Sequence, residues 1–175
     1  MTRAAACALL LLVAACAQLE QQFAERPQFE LTGRLAARYG EESFTGNIAW
    51  RHGPGADEML ITSPLGQGVA RIVRSGGEVT LSTAEPREYR AADAESLTEQ
   101  VLGFRLPLAG LADWVQARAS PATPAKTQFS PDGKLLLLEQ AGWTIEYQQY
   151  ADALPTRMRV IYPGIELRLV ISQWK

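Results

Sequence analysis

"FELTGRLAARY", Phe29–Tyr39, is the stretch whose reading decides the fold. Phe29, Leu31, Leu35, Ala37 and Tyr39 fall on alternate positions, and Glu30, Thr32, Arg34 and Arg38 stand between them. Successive side chains of an extended chain point to opposite faces, so this pattern describes a strand with one face toward a core and one toward water. Arg34 is then an outward strand residue, although a polar place near an opening would also suit it.

The same period continues outward from this segment. "SFTGNIAWR" repeats it with Phe44, Ile48 and Trp50, and "GPGAD" makes a turn. "EMLITS" and "VARIVR" flank a Pro-Leu-Gly turn, and "EVTLST" follows Ser75-Gly76-Gly77. The first half is a β-meander. Spacing then becomes helical in "ADAESLTEQVLGF", where Ala94, Leu97, Val101 and Leu102 share a face, Asp93 can cap the start and Gly103 suits the end. "LPLAGLADWVQAR" places Leu108, Leu111, Trp114 and Val115 on one side, with Pro107 near the first turn. After the loop "ASPATPAK", strands resume in "KTQFS", "KLLLLEQ", "WTIEYQQY", "TRMRVIY" and "IELRLVISQW".

This reading gives about ten strands and two short helices, a mainly β (α+β) chain. So many antiparallel strands curl, and the expected architecture is an unclosed β-barrel whose open side the helices cover. Pattern alone leaves open whether the curl is filled by side chains or encloses an apolar cavity.

The N-terminus carries an address. "MTRAAACALLLLVAACAQ" has a basic Arg3, an apolar run too short to span a bilayer, and small residues before Cys16. Residues 1–15 read as a signal peptide that is removed. Val13-Ala14-Ala15 before Cys16 resemble the bacterial lipobox, which implies that Cys16 is lipidated and becomes the first mature residue. The other cysteine of the chain, Cys7, lies in the removed segment, so no disulfide is expected. Several acyl chains anchor durably, because each buried methylene contributes roughly 0.8 kcal/mol. Ala17 follows the cysteine, and by resemblance to lipoproteins sorted on that position the destination is the outer membrane. Residues 16–28 form the lipidated cysteine and a polar tether, or alternatively a short amphipathic helix. Extended, Ala17–Gln28 reaches roughly 40 Å at about 3.3 Å per residue. Residues 29–175 form a single domain.

Catalytic chemistry has no visible carrier. The one histidine, His52, sits in the turn "RHGPG" and reads as a solvated surface residue. No Cys/His cluster, G-x-S-x-G elbow or P-loop is present, so no enzyme, cofactor or metal is expected. The formal net charge of −2 gives no basis for nucleic-acid binding. A monomer is expected.

One turn departs from ordinary chemistry. "ITSPLGQG", Ile61–Gly68, holds Leu65 at a hairpin tip, where polar residues are usual. Pro64 fixes one backbone angle and Gly66 permits the reversal. Leu65 could protrude, or fold back as ordinary core.

"FELTGRLA", "FTGNIAW", "LITSPLGQ", "YRAADAESLTEQVLGFRLPLAGLADWV", "GWTIEYQQY" and "IELRLVISQW" together resemble LolB, the outer-membrane receptor family of the lipoprotein localisation pathway. The resemblance spans almost the whole mature chain. It implies an unclosed barrel that accepts lipoproteins from the periplasmic carrier LolA and inserts them into the inner leaflet of the outer membrane. It also implies that Leu65, on the Pro64-Leu65-Gly66 loop, protrudes and acts in membrane insertion. Lipoprotein acyl chains would be held in the cavity. Candidates for its lining are Leu35, Phe44, Ile48, Trp50, Leu60, Trp143, Ile145 and Val160, and plain core packing would suit each of them as well. "WVQARAS" departs from the family near Ala117, where a glycine is expected, with a proline soon after. A structural or protein-binding lipoprotein with a filled core is the alternative function.

Overall fold

The chain folds into one eleven-stranded antiparallel sheet in the order β6-β5-β4-β3-β2-β1-β11-β10-β9-β8-β7. The computed structural model describes residues 27–84, 88–102 and 105–175. The signal peptide, Cys16, most of the tether and Gly103 lie outside the described residues.

The strands are β1 (Phe29–Tyr39), β2 (Glu42–His52), β3 (Ala56–Thr62), β4 (Gly68–Ser75), β5 (Glu78–Thr83), β6 (Glu88–Ala91), β7 (Ala125–Phe129), β8 (Leu135–Gln140), β9 (Trp143–Ala151), β10 (Leu154–Tyr162) and β11 (Ile165–Trp174). Neighbours in sequence pair as hairpins, and β1 pairs with β11, so the two halves of the chain join at the centre of the sheet. The edges β6 and β7 do not pair with each other, which leaves the barrel unclosed. Helices α1 (Ala94–Leu102) and α2 (Leu108–Trp114) lie in the connection between those two edges. They bury Leu97, Leu108, Leu111 and Trp114, and Val115 just past α2 is buried with them.

The sequence reading omits β6. "EYRA" has only four residues, and its alternation is one of exposed and half-buried positions at an edge, too weak a signal beside the helix that follows. β1 and β11 begin and end where the period-two pattern does. The sheet bends where β1 and β11 slip register between Thr32 and Gly33. A side chain at Gly33 would collide with the Val170 carbonyl, so this close approach requires glycine.

The helical cover is fastened at both ends. Asp93 caps α1: the Ser96 N–H donates to its Oδ1 at 2.7 Å and the Ser96 hydroxyl to its Oδ2 at 2.9 Å. These bonds hold the Asp93 carboxyl below the usual carboxylate range. After α2, the Arg118 N–H donates to the Asp113 carbonyl at 3.1 Å and the Ala117 N–H to the Trp114 carbonyl at 3.0 Å. This is a Schellman ending, in which glycine normally takes the left-handed position. Ala117 occupies it with φ +56°. The absent glycine therefore leaves the ending intact, at a conformational cost. Ala117→Gly is expected to stabilise the fold by about 1 kcal/mol and raise Tm by roughly 2–4 °C. Thermal unfolding followed by circular dichroism measures this, and a lower Tm would mean that the Ala117 methyl contributes more by packing than it costs in backbone strain.

Candidate functional site

The concave side of the sheet is hollow in one half and filled in the other. A cavity of about 370 Å³ lies under β1–β4 and reaches across to β10 and β11. Leu35, Ala37, Phe44, Ile48, Trp50, Met59, Ile61 and Ile72 line it from the first half of the sheet, and Met158, Val160, Leu167 and Leu169 from the second. Leu106, Leu111 and Val115 close it from the helical segment. Its volume falls at the small end of ligand sites, roughly 300–1,000 Å³. Among the described residues, Glu42 and Tyr39 are the ionisable side chains bordering it, and both are exposed near the β1–β2 turn, so the mouth lies at that end.

Five of the eight lining candidates read from sequence border this cavity: Leu35, Phe44, Ile48, Trp50 and Val160. Leu60 does not. It pairs with Ala49 and Arg71 on the outer face and is 39 % exposed, whereas Met59 and Ile61 face inward. Three consecutive apolar residues, Met59-Leu60-Ile61, hide the period of two, and a slip of one residue exchanges the faces. Trp143 and Ile145 point inward but lie under the other half, away from the cavity, in packed core. Trp143 lies 4.9 Å from Tyr162 and 6.2 Å from Trp114, measured between ring centroids.

The cavity wall is held by polar groups that the sequence reading misses. The Trp50 indole N–H donates to Asp57 Oδ1 at 3.0 Å, and Arg74 Nε donates to Asp57 Oδ2 at 2.6 Å. His52 Nδ1 also contacts Asp57 Oδ1, and its ring stacks on Phe29 at 4.9 Å. His52 is therefore partly enclosed in a cluster, not a solvated turn residue. Burial pushes the Asp57 carboxyl up, but the His52 hydrogen bond and charge, the Arg74 charge and the Trp50 N–H outweigh it and hold the carboxyl below its ordinary value.

A pH dependence follows from that direction. Asp57 binds protons less readily folded than unfolded, so its contribution is complete above the ordinary carboxylate value and vanishes as pH falls through the lowered folded value. The stability difference between the parent and Asp57→Asn is expected to shrink as pH falls from about 5 through 4 and below. Urea unfolding at stepped pH measures this, and a difference that persists unchanged into acid would contradict it.

At the same end as the mouth stands the Ser63–Gln67 loop. The Gly66 N–H donates to the Ser63 carbonyl at 2.9 Å, closing a turn over Pro64 and Leu65. The Ser63 N–H donates to the Gln67 carbonyl at 2.8 Å, and the Gln67 N–H to Ser63 Oγ at 3.2 Å. Gly66 has φ +85°, which the reversal requires. Asn47 Nδ2 donates to the Ser63 carbonyl at 3.2 Å and ties the loop base to β2. Leu65 is 91 % exposed on this fixed turn and does not fold back.

Among the described residues no group of three or more His, Cys, Asp or Glu side chains could hold a metal ion. No helix among them is long and apolar enough to cross a membrane. A solved structure of a DUF1329 family protein from Desulfovibrio piger shares the fold, with a TM-score of 0.53 over 91 % of this chain and 89 % of that one at 10 % identity. Relatives are closer in sequence. An outer-membrane lipoprotein LolB of Thiobacillus denitrificans is 47 % identical over 83 % of this chain and 78 % of its own length. One of Nitrosomonas europaea is 40 % identical over 90 % and 77 %. The family model described as outer membrane lipoprotein LolB matches residues 27–174, so an open barrel, an apolar cavity and a displayed leucine come together in a chain that belongs to the LolB family.

Proposed function

We propose that the cavity is the acyl-chain site, and Leu65 the membrane-entering tip, through which this chain works as an outer-membrane lipoprotein receptor of the localisation pathway. As a member of the family it is an outer-membrane lipoprotein, and Cys16, acylated after removal of residues 1–15, would be its anchor. The soluble carrier LolA would be its donor and the inner leaflet of the outer membrane its acceptor. No bond is made or broken in this task, so the receptor has no need of catalysis.

The observation that carries this reading is the shared end: the apolar cavity opens beside the loop that displays Leu65. Exposing an acyl chain costs about 0.8 kcal/mol per methylene, so a handover needs cover close to the bilayer. Without an energy source, direction comes from graded affinity, and 1.4 kcal/mol suffices for each tenfold preference.

A fluorescent acyl probe titrated into the mature chain tests the cavity. Saturable uptake is expected. Ala70 lines the cavity and is half-buried, so Ala70→Trp should fill space while leaving the strands paired, and weaken uptake about tenfold through loss of roughly two methylenes' worth of cover. No uptake by the parent, or unchanged uptake by a folded Ala70→Trp variant, would sink the assignment.

A further inference from the structure

One register row crosses the outer face of the sheet. Thr62 of β3 is opposite Asn47 of β2, Asn47 opposite Arg34 of β1, Arg34 opposite Val170 of β11, and Val170 opposite Arg157 of β10. Directly opposed residues share a face. Arg34, Val170 and Arg157 thus stand side by side, and all three are exposed.

Between this row and the β10–β11 turn, the outer face of β1, β11, β10 and β9 also carries Arg38, Arg159 and Arg168, against Glu146 and Glu166. Arg38, Arg159 and Arg168 all reach Glu166, at 3.3, 3.0 and 2.6 Å, and Arg159 reaches Glu146 at 2.8 Å. The side chains of Arg34 and Arg157 make no ion pair or hydrogen bond among the described residues. Five arginines against two glutamates make a local positive excess of three in a chain whose formal net charge is −2.

The row starts at the foot of the Leu65 loop. Thr62 is the last residue of β3, and at about 4.8 Å per strand Arg34 lies about 10 Å and Arg157 about 19 Å from it across the sheet. Leu65 lies three residues beyond Thr62 along the chain, at most roughly 10 Å away. A tip that enters the acyl region therefore holds this row near the depth of the headgroups. Val170 between the arginines leaves no further polar group to desolvate.

We infer that the Arg34–Val170–Arg157 row is a docking surface for the phosphates of anionic phospholipids, which orients the receptor while Leu65 enters the bilayer. The inference rests on the reading of Leu65 as the membrane-entering tip. Arginine suits phosphate through its planar fork of donors, and basic side chains near an anionic leaflet add to its hold.

The test is cosedimentation of the mature chain, carrying Cys16→Ala, with vesicles of phosphatidylcholine alone or of equimolar phosphatidylcholine and phosphatidylglycerol. The parent is expected to bind the anionic vesicles more tightly, with the increment falling as salt is raised. Arg34→Gln/Arg157→Gln is expected to lose about fivefold per arginine on anionic vesicles and nothing on zwitterionic ones. Arg90→Gln/Arg118→Gln, with the same change in net charge elsewhere, should keep the increment. Leu65→Ser should weaken binding to both vesicle types, which separates failure of the tip reading from failure of this one. The inference is overturned if the Arg34/Arg157 variant keeps the full anionic increment, if the control pair loses as much, or if that variant is impaired only in accepting cargo from the carrier.

Discussion

A Leu65→Glu receptor is expected to accept an acylated lipoprotein from the carrier as the parent does, and to deliver it to membranes on the order of 100-fold more slowly. The loop is built from bonds that do not involve the Leu65 side chain: Ser63 to Gly66, Ser63 to Gln67, and Asn47 to Ser63. Because the side chain is 91 % exposed, the substitution leaves the core and the cavity untouched. What changes is the cost of the tip in the acyl region, where a carboxylate is roughly 3 kcal/mol worse than an apolar group. A reconstituted assay that measures transfer from carrier to receptor separately from receptor to vesicles reads the two steps. Delivery at the parent rate would end the role assigned to Leu65.

The second large effect is on stability. Gln140 is 3 % exposed and binds four groups at once. Its Oε1 accepts from the Trp114 indole at 2.7 Å and from the Ser120 N–H at 2.9 Å, while its Nε2 donates to the carbonyls of Ser120 at 2.7 Å and Thr123 at 2.6 Å. These bonds fasten the end of the helical cover to β8. The Tyr147 hydroxyl adds a bond to the Trp114 carbonyl at 2.8 Å, and burial pushes that phenol's pKa up, so it stays a donor. Gln140→Leu leaves the fully buried Trp114 N–H without an acceptor and takes away the side-chain partner of the Ser120 N–H and of the Ser120 and Thr123 carbonyls, at a cost of about 2–4 kcal/mol. For a chain of this size that corresponds to a Tm lower by roughly 5–15 °C. Trp114→Phe in the same background removes the stranded donor, so the double variant should lose less than the sum of the singles. Strict additivity would mean that the indole is not held by Gln140.

How much of this was legible before folding can be judged residue by residue. The period of two in Phe29–Tyr39 and Ile165–Trp174 gave both strand limits, because one face of each is committed to the core. Asp93 and the face of Leu108, Leu111, Trp114 and Val115 were equally plain, since capping and helical spacing are local. Leu60 was misassigned because an unbroken apolar run carries no phase. His52 was misread because its partner Asp57 sits across a turn and Phe29 on another strand. Gln140 gave no signal, as its four bonds go to residues 17 to 26 positions away.

By itself the sequence determined the order of every strand but β6, the two helices between the runs of strands and the oddity of a leucine on a Pro-Gly turn, since alternation, capping and turn chemistry depend on near neighbours. Only the tertiary structure decided that the barrel is hollow under β1–β4 and filled around Trp114 and Trp143, that its mouth opens beside Leu65, and that Arg34 and Arg157 meet across Val170. The physical reason is that a cavity is a mismatch of volumes among distant strands, and a surface row is a register between them. Neither is carried by any one segment of the chain.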